Sequence, residues 1–217
     1  MTRTLVLLRH GRTAWNAEGR AQGHIDVPLD AIGRAQAAAV APVIAALAPS
    51  YVWSSDLARA AETAEVVAAA CGLPIARDPR LREYGMGERS GLTIPEFAAA
   101  FPSEHARWLA DGGPGQSADS VPGAESTADV LARVLPALRD AMRAVEPGET
   151  GVVVGHGAAM RVALVAFLDW ERSAALRLRA LENCAWAVVD DSGLGHAPRL
   201  AAYNRLAPDF TSAGAVG

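Results

Sequence analysis

Lysine is missing from this 217-residue chain, and all 20 basic residues are arginine. Schiff-base chemistry and the lysine of a phosphate-binding P-loop are thereby excluded. Cysteine is scarce: Cys71 and Cys184 stand far apart and outside any C-x-x-C spacing, so neither a zinc site nor a redox pair is indicated, and both are expected in apolar packing. Long apolar runs are absent too. Stretches such as 162–168 fall far below the roughly 20 residues that span a bilayer. The run from Leu5 to Leu8, behind Arg3, is too short for the core of a signal peptide, and a cytoplasmic protein is the expectation. Clustered positive charge is lacking, and the net charge of −4 with a pI near 5.7 gives no general reason to bind nucleic acid or an anionic membrane. Small molecules are the expected partners.

What remains is 51% hydrophobic and 20% charged, enough for one sizeable core, and a single domain over residues 1–217 is expected. Thr4 to Leu8 is continuously apolar and breaks at Arg9-His10-Gly11, the pattern of a strand buried on both faces that ends in a polar loop. Tyr51 to Trp53 repeats this, followed by Ser54-Ser55-Asp56, natural caps for a helix over 57–70. Gly151 to Val154 is a third such strand, ending in Gly155-His156-Gly157 before an apolar helix over 158–168. Asp30 is placed to cap a helix through Ala46 that Pro42 should kink or interrupt, and Ser126 to cap another with an apolar stripe from Leu131 to Val145. Two further strands are expected at 185–189 and 200–203, and the last ten residues should fray. The alternation predicts an α/β fold, a three-layer sandwich with a largely parallel central sheet and helices on both faces.

Residues 84–125 break the alternation with repeated glycines, the run Gly112-Gly113-Pro114-Gly115, and one expected helix around 96–109. A loop-rich excursion of this length in a compact domain is usually functional or disordered, and a lid over the site is expected.

Ligands of open α/β sheets bind at the carboxyl ends of the strands. That rule brings Arg9, His10, the turn carrying Arg59, and His156 to one rim. Two imidazoles and two guanidiniums without compensating acids are costly unless an anion fills the centre, and planar guanidinium forks match phosphate oxygens. Neighbouring positive charge should keep His10 neutral and nucleophilic toward phosphorus. The leaving group then needs a separate acid, for which Glu83 is the best candidate; once ionised it can activate the attacking water.

Leu8-Arg9-His10-Gly11-Arg12-Thr13-Ala14-Trp15-Asn16 resembles the signature of the histidine phosphatase superfamily, the phosphoglycerate mutase-like fold. The segments at 22–29, 54–63, 81–83 and 154–157 resemble its further motifs in the family's order. This resemblance implies that His10 is the phosphorylated nucleophile, that Arg9, Arg59 and His156 bind phosphoryl oxygens, and that Glu83 is the proton donor. It further implies Asn16 and the Gly157 backbone N–H in the same pocket, with Gln22 and Gly23 lining the substrate side. It implies no metal and no organic cofactor, and its scaffold admits a homodimer.

Plainer readings compete at each position. Arg59 would pair with Asp56 or Glu62 along a helix, and Glu83 with the charges at Asp78, Arg80 and Arg82. His24 is divided between substrate and surface, His105 and His196 read as solvated, and Trp108 is the tryptophan most expected to face the cleft. The resemblance also covers cofactor-dependent mutases and non-catalytic, protein-binding relatives. Between residues 84 and 125 the only arginines are Arg89 and Arg107, set among acids, which favours hydrolysis over mutase chemistry. The expected substrate is a small phosphorylated metabolite that the sequence does not single out.

Overall fold

The computed structural model describes residues 1–111, 113, 118–194 and 197–208. His196 and nearly all of the C-terminal stretch expected to fray lie outside them. The expected strands form as β1 (Arg3–Arg9), β2 (Tyr51–Ser54), β4 (Thr150–Gly155), β5 (Trp186–Asp191) and β6 (Arg199–Arg205). A three-residue strand, β3 (Ile75–Arg77), is added at one edge. It is too short, and too exposed, to carry a hydrophobic pattern.

The six strands run in the order β3-β2-β4-β1-β5-β6. β3, β2, β4 and β1 are parallel, but β5 pairs antiparallel with both β1 and β6, so the sheet is mixed. The seven residues between β5 and β6 are too few for a crossover and permit only a hairpin-like return. Leu8 and Ser54 both pair with Val154, so β1, β2 and β4 reach the same level before their chains turn away.

Side-chain alternation along these strands feeds two cores. Leu5 and Leu7 with Val153 face one, beneath α6 (Thr127–Ala144) and α7 (Gly157–Phe167). Val6 and Leu8 with Val152 and Val154 face the other, beneath α2 (Ala31–Ala45) and α3 (Ala58–Cys71). Helices thus cover both faces, as the three-layer expectation requires.

Asp30 caps α2 by accepting from Gly33 N at 2.7 Å, and Ser126 caps α6 in a capping box with Asp129, each worth about 1 kcal/mol. α2 runs through Pro42 without interruption. Pro42 and Ala38, whose carbonyl the proline leaves unbonded, both lie on the exposed face, where water substitutes for the lost bond. α6 likewise contains Pro136. The start of α3 departs from expectation: Leu57 occupies the cap position without a side-chain bond, and Ala58 N donates instead to Asp26 Oδ1 at 2.6 Å. Asp56 is taken by Arg82, whose guanidinium forks onto both carboxylate oxygens.

The excursion leaves after Tyr84 and returns at Glu125. Its neck is closed by Glu125 N donating to Gly85 O at 2.8 Å and Gly85 N donating to Glu125 Oε2 at 2.7 Å, with a bridge between Met86 and Ala124. Two helices replace the one expected, α4 (Ile94–Ala100) and α5 (Pro102–Ala110). Pro102 lacks the N–H to extend α4 and forces Phe101 out of helical geometry. Phe97, Trp108, Ala118 and Val121 join the core under α6 and α7. Trp108 is only 1% exposed, packed on Phe97 and His105 under the Arg89 guanidinium, so it is core rather than a wall of the cleft. His105 is correspondingly half-buried, not solvated.

Candidate active site

The carboxyl end of β1 delivers Arg9 and His10, and that of β4 delivers His156, with Gly155 O accepting from His10 N at 3.0 Å. The two imidazoles meet edge to face with centroids 5.2 Å apart, and both are buried. His10 Nδ1 lies 2.6 Å from Gly11 O. A carbonyl only accepts, so Nδ1 carries the proton and Nε2 is left with a lone pair. His156 Nε2 lies 2.8 Å from Ser55 Oγ. With Ser55 donating, the His156 proton sits on Nδ1, a buried atom without a partner among the described residues.

Burial first, then the charges of Arg9 and Arg59, hold the His10 pKa well below the usual imidazole value. His156 is held down likewise by burial, then by Arg59, His10 and Arg9. Both rings are therefore neutral at neutral pH. Arg59, on the first turn of α3, donates to Gly23 O at 2.7 Å and Ile25 O at 3.0 Å. Burial pushes its pKa down to about 10 against the raising influence of Glu83 and Asp26, so it keeps its charge at neutral pH. It pairs with neither Asp56 nor Glu62. Arg9 Nη1 donates to Leu181 O at 2.5 Å, and its Nε, like that of Arg59, is buried without a partner among the described residues. Each orphaned donor costs about 1–3 kcal/mol, which an oxyanion would recover.

The Gly157 backbone opens α7 beside this group. A Cβ there would lie 3.3 Å from Arg9 Nε, so glycine lets the guanidinium rest against the helix start. As the first helical residue, its N–H has no acceptor within the helix. The next two N–H groups are occupied by Glu83: Ala158 N donates to Oε2 at 3.0 Å and Ala159 N to Oε1 at 2.8 Å. Glu83 is therefore held on the N-terminus of α7 and not in an ion pair, since Arg82 turns to Asp56 and Arg80 to Asp78 and Asp140.

The other predicted positions lie around this centre. Gly23, with φ at +53°, supplies the carbonyl that orients Arg59 and abuts Met86 of the excursion. Gln22 is buried with Oε1 unpartnered among the described residues. Asn16 stands one residue back in α1 (Ala14–Glu18), its Oδ1 accepting from Thr13 N and from Asn183 Nδ2. Asn183 also donates to His10 O at 3.1 Å, which links Asn16 to the backbone of His10. His24 donates to Glu83 O at 2.7 Å.

Several supporting residues escaped the sequence reading. Thr63 Oγ1 accepts from Gly11 N at 3.0 Å and donates to Arg59 O at 2.8 Å, which ties the loop after β1 to α3. Ser55, read as a helix cap, holds His156. Gly33 allows α2 to pass so close that a Cβ there would sit 1.9 Å from Arg12 O. Among the described residues no group of three His, Cys, Asp or Glu is arranged to hold a metal ion, and no helix is long and apolar enough to cross a membrane.

Known proteins resemble this chain in sequence and in fold. A Yersinia enterocolitica protein named "Probable phosphoglycerate mutase GpmB" is 36% identical over 86% of this chain and 84% of its own length. A mycobacterial glucosyl-3-phosphoglycerate phosphatase, solved with VO3, superposes with a TM-score of 0.82 at 33% identity over 93% of this chain and 98% of that one. Bacillus stearothermophilus YhfR superposes with a TM-score of 0.81 at 29% identity, over 94% and 98%. The sequence matches branch 1 of the histidine phosphatase superfamily over residues 5–204, and the chain belongs to that superfamily as a histidine phosphatase.

Proposed function

We propose that the protein is a metal-independent phosphomonoester hydrolase acting on small phosphorylated metabolites of the cytoplasm. The observation that carries this reading is the state of His10: buried, neutral, with Nδ1 tied to Gly11 O and Nε2 carrying the lone pair beside three buried nitrogens that have no partner among the described residues, Arg9 Nε, Arg59 Nε and His156 Nδ1. Nε2 attacks phosphorus, and a phosphohistidine forms as the ester oxygen departs. Arg9, Arg59 and His156 Nδ1 receive the phosphoryl oxygens, with the Gly157 N–H as a further donor. Asn16 steadies the nucleophile's backbone, and Gln22 and Gly23 border the substrate. Glu83, as the general acid, gives a proton to the leaving oxygen. As a carboxylate it then takes a proton from the water that displaces His10 from phosphorus.

The name of the Yersinia relative favours a second reading, a phosphoglycerate mutase using a bisphosphorylated cofactor. The side chains of the excursion weigh against it. Arg89 is stacked on Trp108 at 4.3 Å, and Arg107 pairs with Glu104 on its own helix. A second phosphate would have to draw Arg107 off Glu104 or reach Arg89 where it is buried against Trp108, although the Arg89 Nε has no partner among the described residues.

Phosphate release from a panel of phosphomonoesters, sugar phosphates and phosphoglycerates, with and without EDTA, separates the readings. Turnover should survive the chelator and fall at least about 10⁴-fold in His10→Ala. Mutase activity dependent on 2,3-bisphosphoglycerate, with negligible phosphate release, would overturn the hydrolase assignment.

A further inference from the structure

Arg133 projects from the second turn of α6, outside every motif of the site. Its five N–H donors are all used. Nε and Nη2 fork onto Glu125 Oε1 at 2.9 Å and Oε2 at 2.7 Å. Nη1 donates to Arg80 O at 3.0 Å and Arg82 O at 2.6 Å, and Nη2 also donates to Glu83 O at 2.7 Å. Three successive anchor points of the turn that presents Glu83 thus end on one guanidinium. Glu125 completes the bracket from the other side, accepting from Gly85 N and donating its own N–H to Gly85 O. Burial pushes the Glu125 pKa up, but the Arg133 and Gly85 hydrogen bonds and the Arg133 charge outweigh it, and the group stays an anion.

We propose that Arg133, braced by Glu125, is a positioning residue for the Glu83 carboxyl group, fixing the backbone on both sides of it so that its oxygens meet the leaving group. The proposal rests on Glu83 acting as the acid of the phosphoryl-transfer step. Among the described residues the Glu83 side chain is anchored by first-turn N–H groups of α7 and by Tyr84 N, bonds that a shift of the turn would strain, carrying the carboxylate off line. The backbone bracket prevents that shift. Arg133 makes no hydrogen bond to His10 or to Arg9, Arg59 and His156; its charge helps hold the His156 pKa down, an influence common to every substrate, so the part that runs through Glu83 is read from the difference between leaving groups.

The test uses leaving-group dependence. A p-nitrophenolate departs without a proton, whereas the alkoxide of glycerol 2-phosphate needs one. In the full chain, Arg133→Gln should lower kcat/KM for glycerol 2-phosphate about 100-fold and for p-nitrophenyl phosphate less than about 3-fold. Arg133→Lys, which keeps the charge without the fork, should show the same selectivity at about 10-fold, and serves if the glutamine variant does not fold. Glu83→Gln should show the selectivity at full size, and adding Arg133→Gln to it should cost little more, because residues acting as one unit are not additive.

Equal losses on both substrates, or a double variant lower than Glu83→Gln by the whole Arg133 effect, would overturn the positioning role. If Glu83→Gln itself lacks leaving-group dependence, the acid assignment fails and the proposal falls with it. If Glu83→Gln has it and both Arg133 variants do not, only the proposal falls.

Discussion

The rim around His10 is carried on the ends of three hydrogen-bonded parallel strands, whereas the excursion between Gly85 and Glu125 hangs from a short neck and packs on what it meets. Strand register sets the rim: once Leu8 and Ser54 stand level with Val154, the residues that follow have little freedom in where they emerge. In the excursion, position comes from contacts among distant side chains, such as Phe97 on Trp108 and Arg89 over it. The difference separates chemistry from choice of substrate. Phosphoryl transfer requires positions held to fractions of an ångström, and a sheet supplies them. Under the proposed function, recognition of the rest of the substrate is assigned to the part of the chain that the sheet does not discipline.

The comparison can be broken most severely at Gly33. A Cβ there would overlap Arg12 O, a backbone atom just beyond the loop that carries His10, so neither partner can move without displacing that loop. Gly33→Ala should cost about 3–5 kcal/mol of stability and abolish turnover together, measured by urea unfolding and phosphate release.

Acid loosens the rim next. His10 and His156 have depressed pKa values in the fold but should titrate near 6.5 when unfolded. Below that pH the unfolded chain binds protons the native state refuses. Stability is therefore complete above about pH 7.5 and declines as pH falls through 6.5, by up to about 1.4 kcal/mol per pH unit for each imidazole. The carboxylates held below their usual range, such as Asp56 and Glu125, lose their contribution only at lower pH, which leaves the interval from about 6.5 to 5 to the histidines. Melting temperature against pH should show the slope, and His10→Asn should roughly halve it. A flat profile over that interval would mean the rings are not buried neutral.

The smallest effect is expected in the excursion. Arg89→Ala removes the cation stacked on Trp108 and should cost about 1 kcal/mol by thermal unfolding. Turnover of p-nitrophenyl phosphate should stay within about twofold, while the ranking of larger phosphate esters shifts. A large loss on p-nitrophenyl phosphate would show that the two regions are not separable.

Legibility in the sequence follows the same division. Apolar runs broken by Arg9-His10, Ser54-Ser55 and Gly155-His156 announced the three strands and their rim, and Asp30 and Ser126 marked helix starts, because these signals are local. The cap of α3 was not legible, since Asp26 lies 32 residues before Ala58 and nothing nearby points to it. Ser55 looked like a cap and instead holds His156. β5 read correctly as a strand, but its antiparallel direction depends on the path after α7, and β3 is too brief to leave a pattern. Pro102 was a readable break that should have divided the excursion's helix. Nothing in the sequence around Arg133 singles it out, because the five acceptors it meets come from segments that only the fold assembles.

The remote cap on α3 has a consequence for how such an enzyme can be altered. Asp26 holds the helix that carries Arg59, while Gly23 O and Ile25 O hold the guanidinium itself. Residues 22–26 and the placement of Arg59 are thereby one structural unit, not two modules. Exchanging that loop to admit a different metabolite should disturb the arginine at the same time, so changes of specificity that leave catalysis whole are easier to reach through the excursion than through the loop beside it.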